Sequence, residues 1–290
     1  MSLDAKCIQA EHKGMVAKVL SDEDVSYVCD LVEKAGHLAL SMREGVEVSC
    51  KGSPDDKVTG ADVALSEMLT EALSQRFAGD CIVSEEHAEY LFERSLDRVW
   101  MIDPIDGTQN YILDDGQYCV MVGLLIDLKP YFGWVYEPHS ACLYWGGPDY
   151  GAFKRKHGRA ESTESISHPQ AIDCQASARL LMGSRDRKKH PWVKELDRVN
   201  LVKIGSIGLK VVRILDNEAD VFIHLSRKLK TWDTAAPAAL ALGAGLEVGG
   251  IEEDSLLFPL PEIIHDTSVI MGRPGSLSWC RENLIEPNSN

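Results

Sequence analysis

Acidic residues concentrate where apolar runs end. The stretch Val99–Tyr111 reads VWMIDPIDGTQNY, and its apolar residues Val99 to Ile102 predict a short buried strand. Pro104 has no N–H to give a ladder, so regular pairing is expected to stop there. Gly107 lets the backbone come close to a ligand, and Thr108 is a good helix N-cap. Asp103 and Asp106 repel each other on such a turn. A hard divalent cation would relieve that repulsion, because it takes carboxylate and carbonyl oxygens. The N–H groups of Gly107 and Thr108, at a helix start, would suit an anion beside the metal. Metal and anion at one point is the setting of phosphate chemistry. The plain structural alternative is an Asx turn, since Asp and Gly are common where strands end.

Other acids fall at comparable places. Cys81-Ile82-Val83 predicts a second short strand, ending on Ser84-Glu85-Glu86. Asp233 precedes the helical run Ala235 to Leu242, where an acid also serves as a cap. Asp56 lies just outside an amphipathic pattern running from Ala64 to Phe77, whereas Asp62 reads as a cap or first-turn acid. Ligands gather at the carboxyl ends of strands in open sheets, so Glu85, Asp103, Asp106 and Asp233 define one expected cleft. Two Mg²⁺ ions roughly 3.5–4 Å apart in such a cleft would clamp the attacking and leaving oxygens of an in-line displacement. Gly205-Ser206-x-Gly208-x-Lys210 is a second candidate phosphate contact. It falls short of a P-loop, and a solvated helix lysine is its alternative.

The elements that must position these residues follow from periodicity. Ser21 and Asp22 offer a cap for a first helix carrying Val25, Val28, Val32, Ala35, Ala39 and Met42 at helical spacing. Strands over Tyr118–Ile126, Tyr131–Tyr136 and Ala141–Trp145, joined by short turns, predict an antiparallel meander. The polar run 154–170 reads as a surface loop. Beyond it strand and helix alternate: Leu180–Met182, a short helix Trp192–Val199, Leu201–Ile204, a helix Leu209–Glu218, Val221–Leu225, Val269–Met271 and a closing helix Leu277–Leu284. This predicts an α+β N-terminal half over 1–155, carrying most of the acids, and an α/β half over 156–290, carrying Asp233.

Composition narrows the partners. The chain has 290 residues and a net charge of −15, against the basic face a nucleic-acid polymer requires. A small anionic substrate remains compatible, because bound metals reverse the local field. The eight cysteines are scattered without a C-x-x-C pair, which argues for reduced thiols rather than zinc. No run approaches the ~20 apolar residues that cross a bilayer, and the N-terminus lacks an apolar signal segment, so the expected location is cytoplasmic.

Four ordered motifs together resemble the inositol monophosphatase superfamily: D-x-V-T-x-A-D at Asp56–Asp62, S-E-E at Ser84–Glu86, D-P-I-D-G-T at Asp103–Thr108 and W-D-T-A-A-P at Trp232–Pro237. The resemblance implies the layered αβαβα sugar-phosphatase fold, shared with the fructose-1,6-bisphosphatases, and two or three Mg²⁺ ions. By it, Glu85, Asp103 and the Ile105 carbonyl hold the first metal. Asp103, Asp106 and Asp233 hold the second, and a third, weaker ion leans on Glu85. Asp56 and Thr108 orient or deprotonate the attacking water, and the Gly107 and Thr108 amides take the phosphate. Inhibition by Li⁺ is also implied.

Within the superfamily, G-S-x-G-L-K at Gly205–Lys210 and K-x-W-D-T-A-A-P at Lys230–Pro237 are similar to the 3'(2'),5'-bisphosphate nucleotidases. By that similarity Ser184, Arg185, Ser206 and Lys210 meet the nucleotide. Ala235, Ala238 and Gln109-Asn110-Tyr111 depart from the nucleotidase pattern, so an inositol-1-monophosphatase or related sugar phosphatase is the alternative. The expected partner is a small phosphorylated substrate, and the expected assembly a monomer or homodimer. A haloacid dehalogenase is disfavoured, because its D-x-D-G-T motif does not fit Asp103-Pro104-Ile105-Asp106. A non-catalytic metal-binding homologue is disfavoured because Asp56 and Thr108 are both present.

Overall fold

The computed structural model describes residues 19–44, 48–50, 57–90, 95–157, 163–167, 169–173 and 175–284. Helix α1 (Asp22–Ser41) begins at a capping box, the Asp24 amide donating to Ser21 Oγ and the Ser21 amide to Asp24 Oδ2. Its buried face contains Val28, Val32, Ala35 and Ala39 of the expected stripe. A short ribbon, β1 (Val48–Cys50) with β2 (Lys57–Thr59), leads to α2 (Gly60–Arg76). There Thr59 and Asp62 form a second capping box.

The first sheet contains β3 (Cys81–Ser84), β4 (Arg98–Asp106), β5 (Cys119–Ile126), β6 (Lys129–Glu137), β7 (Cys142–Gly147), β8 (Gly151–Lys156) and β9 (Glu164–Ser165), in that spatial order. β3 and β4 are parallel, and every later pair is antiparallel, so the meander is present. The short helix α3 (Thr108–Leu113) connects β4 to β5. The expected loop over 154–170 is instead partly strand, because Lys154–Lys156 and Glu164–Ser165 extend the sheet edge. Alternating polarity there is weak, which is why the sequence reads as a loop.

β4 also runs further than Pro104 suggested. Its ladder with β5 pairs Asp103 with Met121 and resumes at Asp106 with Cys119, leaving Pro104 and Ile105 in an irregularity. A bulge accommodates the missing N–H without ending the strand.

The second sheet has the order β11 (Val199–Val202), β10 (Ala178–Met182), β12 (Val221–His224), β14 (Val269–Gly272), β13 (Glu247–Gly249). β10 lies parallel to both β11 and β12, while β14 is antiparallel to its neighbours. After β10 comes α4 (Ser184–Lys189), and the helix expected at Trp192–Val199 is a 3₁₀ turn over Pro191–Glu195.

Helices α5 (Ile207–Leu215) and α6 (Thr231–Gly243) fill the space between the sheets, burying Leu209, Val212, Ala235 and Leu240 in one core with Met101, Met121 and Met271. On the far face of the first sheet, α1 and α2 cover Trp100, Trp134 and Tyr136. On the far face of the second, α7 (Ser276–Asn283) places Trp279 and Cys280 against Val221 and Ile270. The layering is αβαβα, as the resemblance implied.

Two glycines set how closely the middle layer approaches the first sheet. A Cβ on Gly123 would stand 2.7 Å from the Ala236 amide nitrogen, and one on Gly133 would stand 2.2 Å from the Ala236 carbonyl oxygen. The first two turns of α6 therefore rest on bare backbone, which brings Asp233 to the end of the sheet that carries Asp103.

Candidate active site

A cavity of about 570 Å³ lies where β3, β4 and β12 end and α4 and α5 begin. Glu85, Asp106, Gly107, Thr108, Arg185 and Lys210 line it, together with Ser184. The sequence-derived residues thus converge in part: Asp103 and Asp233 are not in that lining but feel the charges of Glu85 and Asp106, and three others stand apart. Asp56 lies outside the described residues. Ser206 sits behind the cavity wall. The Ile105 side chain is core, and its carbonyl accepts the Thr108 hydroxyl at 3.2 Å.

Asp103 is buried, and its Oδ1 has no hydrogen-bond partner among the described residues. Burial, and then the charges of Glu85, Asp106 and Asp233, push its carboxyl well above the usual carboxylate range. Asp233 is raised in the same way by burial, Glu85 and Asp106. It is the third residue of α6, not its cap, and Oδ2 accepts the Lys230 amide at 2.7 Å. Among the described residues no three Asp, Glu, His or Cys side chains close on a common point. The acids feel one another across the site without forming a finished cage. An orphaned buried carboxylate oxygen amid like charges is chemistry that a divalent cation completes.

Asp106 is different, because its Oδ2 is already engaged. The Ser206 hydroxyl donates to it at 2.5 Å and the Gly208 amide at 2.7 Å. Burial raises its pKa, and the Ser206 hydroxyl and the Lys210 charge pull it back. Ser206 was expected at the substrate. Its hydroxyl instead serves Asp106 and caps α5, accepting the Leu209 amide at 3.1 Å. The buried Cys119 thiol lies 3.1 Å from the same hydroxyl. Lys210 is buried at the cavity floor, and its ammonium donates to the carbonyls of Gly205 at 2.7 Å and Ser206 at 3.0 Å. Burial lowers its pKa to about 8.

The chain turns from β4 into α3 through Gly107, not through a Thr108 cap. Gly107 is left-handed at φ +95°, and a Cβ there would meet the Gln117 carbonyl at 2.9 Å. Thr108 is the first helical residue, and no side chain caps the start of α3. The Thr108 hydroxyl lies 3.3 Å from Asp62 Oδ1 and 3.2 Å from the Ile105 carbonyl. With its proton given to either, its lone pairs are left to accept from water.

Asp62 is a residue that sequence reasoning placed only as a cap. It is the first-turn acid of the capping box, accepting the Thr59 amide, and it also reaches Thr108. Also missed were Asp186, the fully buried third residue of α4, and His224 at the end of β12, both of which line the cavity. Neither belongs to a spaced motif, and only the parallel pairing of β10 with β12 brings them together.

The family model described as the inositol monophosphatase family matches residues 21–281. The 3'(2'),5'-bisphosphate nucleotidase CysQ of Aggregatibacter actinomycetemcomitans is 29% identical over 268 residues, covering 90% of this chain and 97% of that protein. Among solved structures, the Thermotoga maritima IMPase superposes with a TM-score of 0.74 at 20% identity, covering 90% of this chain and 98% of that one. A structure described as an IMPase/NADP phosphatase complexed with Mg²⁺ and phosphate gives 0.71 at 17% identity, over 92% of this chain and 96% of that one. Motifs, layering and matches agree, and the chain belongs to the inositol monophosphatase family of phosphoric monoester hydrolases.

Proposed function

We propose that this phosphatase is Mg²⁺-dependent and removes the 3'-phosphate of adenosine 3',5'-bisphosphate, giving AMP and phosphate. The observation that carries this reading is one cavity lined by side chains of both charges: Glu85 and Asp106, and Arg185, Lys188 and Lys210. The acidic part of the lining suits metal beside the scissile phosphate, and the basic part suits a second anionic group. The nucleotidase similarity of Gly205–Lys210 and Lys230–Pro237, and the CysQ relative, support the same substrate.

In this reading Glu85, Asp103, Asp106, Asp233 and the Ile105 carbonyl hold two or three Mg²⁺ ions. The bound ions supply charge stabilisation for the phosphoryl oxygens and acidify water. The Gly107 and Thr108 amides receive the phosphate. Thr108, backed by Asp62 and with Asp56, orients the attacking water. Arg185, Ser184 and Lys210 hold the nucleotide. Li⁺ inhibits by competing for the acidic part of the lining. The enzyme acts in the cytoplasm as a monomer or homodimer. Among the described residues no helix is long and apolar enough to cross a membrane.

The test is a side-by-side kcat/KM with Mg²⁺ for adenosine 3',5'-bisphosphate, inositol 1-phosphate and fructose 1,6-bisphosphate. The expected order puts the nucleotide first by at least tenfold. A preference for inositol 1-phosphate would replace this reading with the sugar-phosphatase one. Ser206→Ala checks the acidic part of the lining from behind. It removes one charge-assisted hydrogen bond from Asp106, so the Mg²⁺ concentration for half-maximal rate is expected to rise about 10–100-fold, as for other residues that orient a ligand. An unchanged Mg²⁺ dependence would show that Asp106 does not need that hydroxyl.

A further inference from the structure

The parallel strands β10 and β12 are neighbours, and the chain leaves each of them along the border of the cavity. After β10 comes α4, which gives Ser184, Arg185 and Lys188 to the lining. It has six residues, and no side chain caps its start. A helix of that length does not hold its own shape, so contacts from elsewhere must fix it. After β12 the chain turns through Leu225 to Lys230 and enters α6, which carries Asp233. Arg227 in that turn is left-handed at φ +53°. A residue with a Cβ keeps such a conformation only where its surroundings hold it.

One side chain joins the two turns. Asp186, the third residue of α4, is fully buried. Its Oδ2 accepts the Leu225 amide at 2.7 Å and lies 3.1 Å from His224 Nδ1. Its Oδ1 accepts the Ser226 amide at 3.1 Å and the Ser226 hydroxyl. All four partners come from three consecutive residues at the start of the second turn. An ionised carboxylate has about four lone-pair sites, so this one is saturated and has none left for a ligand. Four donors meet the cost of burying its charge. A carboxamide in its place would set an NH₂ group against N–H groups and leave buried donors unmet.

We propose that Asp186 is a positioning residue, which fixes the α4 turn, and with it Arg185 and Lys188, against the turn that delivers Asp233. The assignment rests on the phosphatase reading. It makes one buried carboxylate set both the residues proposed for the second anion and a residue proposed for the metal. From Ser226 the connection runs along the chain to Lys230, whose amide donates to Asp233 Oδ2 at 2.7 Å.

Asp186→Asn breaks the tie, Ser226→Ala weakens it, and Ser226→Thr keeps the hydroxyl and serves as the rescue. With Mg²⁺ present, KM for adenosine 3',5'-bisphosphate is expected to rise about tenfold in Asp186→Asn and about threefold in Ser226→Ala, the lower range for residues that orient a ligand. For inositol 1-phosphate, which lacks the second phosphate, the rise is expected to be about twofold or less in both, since Arg185 and Lys188 then have less to hold. Calorimetric titration of Mg²⁺ into the substrate-free protein reads the other arm. The Kd for Mg²⁺ is expected to rise about 3–10-fold in Asp186→Asn, less in Ser226→Ala, and to return towards the native value in Ser226→Thr. If Asp186→Asn fails to fold, the two Ser226 variants decide both arms. Variants that lower Tm while the KM ratio and the Mg²⁺ Kd stay native overturn the assignment, and so does a change in one arm alone. Native turnover of inositol 1-phosphate but not of the bisphosphate removes the nucleotidase reading, and the Mg²⁺ arm then decides this inference by itself. No native turnover of either compound removes the phosphatase reading and this inference with it.

Discussion

Asp103→Asn is expected to abolish turnover while leaving a folded protein that, without metal, melts higher than the native one. Asp103 lies in the core at the end of β4, and asparagine preserves its volume. What changes is charge. The native carboxyl is pushed far above its ordinary value by burial and by Glu85, Asp106 and Asp233, so its ionised form destabilises the metal-free fold. Between the ordinary and the raised pKa the folded state holds more protons than the unfolded state. That contribution to stability is therefore present in full at low pH and is lost as pH rises through the raised values of Asp103 and Asp233. Melting of chelated protein from pH 5 to 8 should show the native Tm falling with pH. Asp103→Asn should flatten the slope and raise Tm at the upper end. With Mg²⁺, the native protein should gain Tm by mass action and the variant much less. The expected fall in kcat is on the order of 10³-fold or more, matching the loss of several kcal/mol of transition-state stabilisation. A variant with near-native kcat would remove Asp103 from the metal site.

Gly133→Ala carries the largest expected stability loss. The added methyl would lie 2.2 Å from the Ala236 carbonyl oxygen and 2.8 Å from the Ala236 Cα, both backbone atoms of α6. No side chain can turn aside, so either the helix rises or β6 bends. Overpacking of this kind costs about 3 kcal/mol, the upper part of its usual range. In a protein of 290 residues, with an unfolding entropy of about 2.1 cal/mol/K per residue, that is a Tm lower by roughly 5 °C. Because Asp233 rides on the same turn of helix, the requirement for Mg²⁺ should rise as well. Gly60→Ala is the control. It stands at the start of α2, where a Cβ meets nothing within 4 Å, so its Tm should hold or rise slightly. Equal, small effects from both would show that α6 does not bear on the sheet as closely as drawn.

Glu85, Asp103 and Asp106 were legible in the sequence because they sit where an apolar run stops, and Asp233 because it precedes a helical run. A run that stops on a carboxylate, in a chain that resembles a known family over most of its length, leaves few readings. The helices α1 and α2 were legible for a similar local reason, since each carries apolar residues at helical spacing behind a polar start. What the sequence hid was non-local. Ser206 and Gly208 look like a phosphate cradle because glycine and hydroxyl at a helix start suit an anion. The anion they hold is Asp106, about a hundred residues earlier in the chain. Asp62 was legible as a cap and silent as a neighbour of Thr108, because only the packing of α2 beside β4 joins them. β8 and β9 were misread because edge strands with one wet face carry too little apolar signal to show a period of two.

The grip of α5 on Asp106 has a further implication. Asp106, a proposed metal ligand, belongs to the first sheet by sequence and to the interior helices by bonding. Gly205 repeats the link, donating to the Gln117 side chain at 2.9 Å. The two halves of the molecule are thus riveted together at the proposed site of hydrolysis. A small slip between them would blunt the enzyme long before either half melted. In a graded denaturant series, loss of phosphate release should therefore run ahead of loss of ellipticity, and saturating magnesium should draw the two curves together.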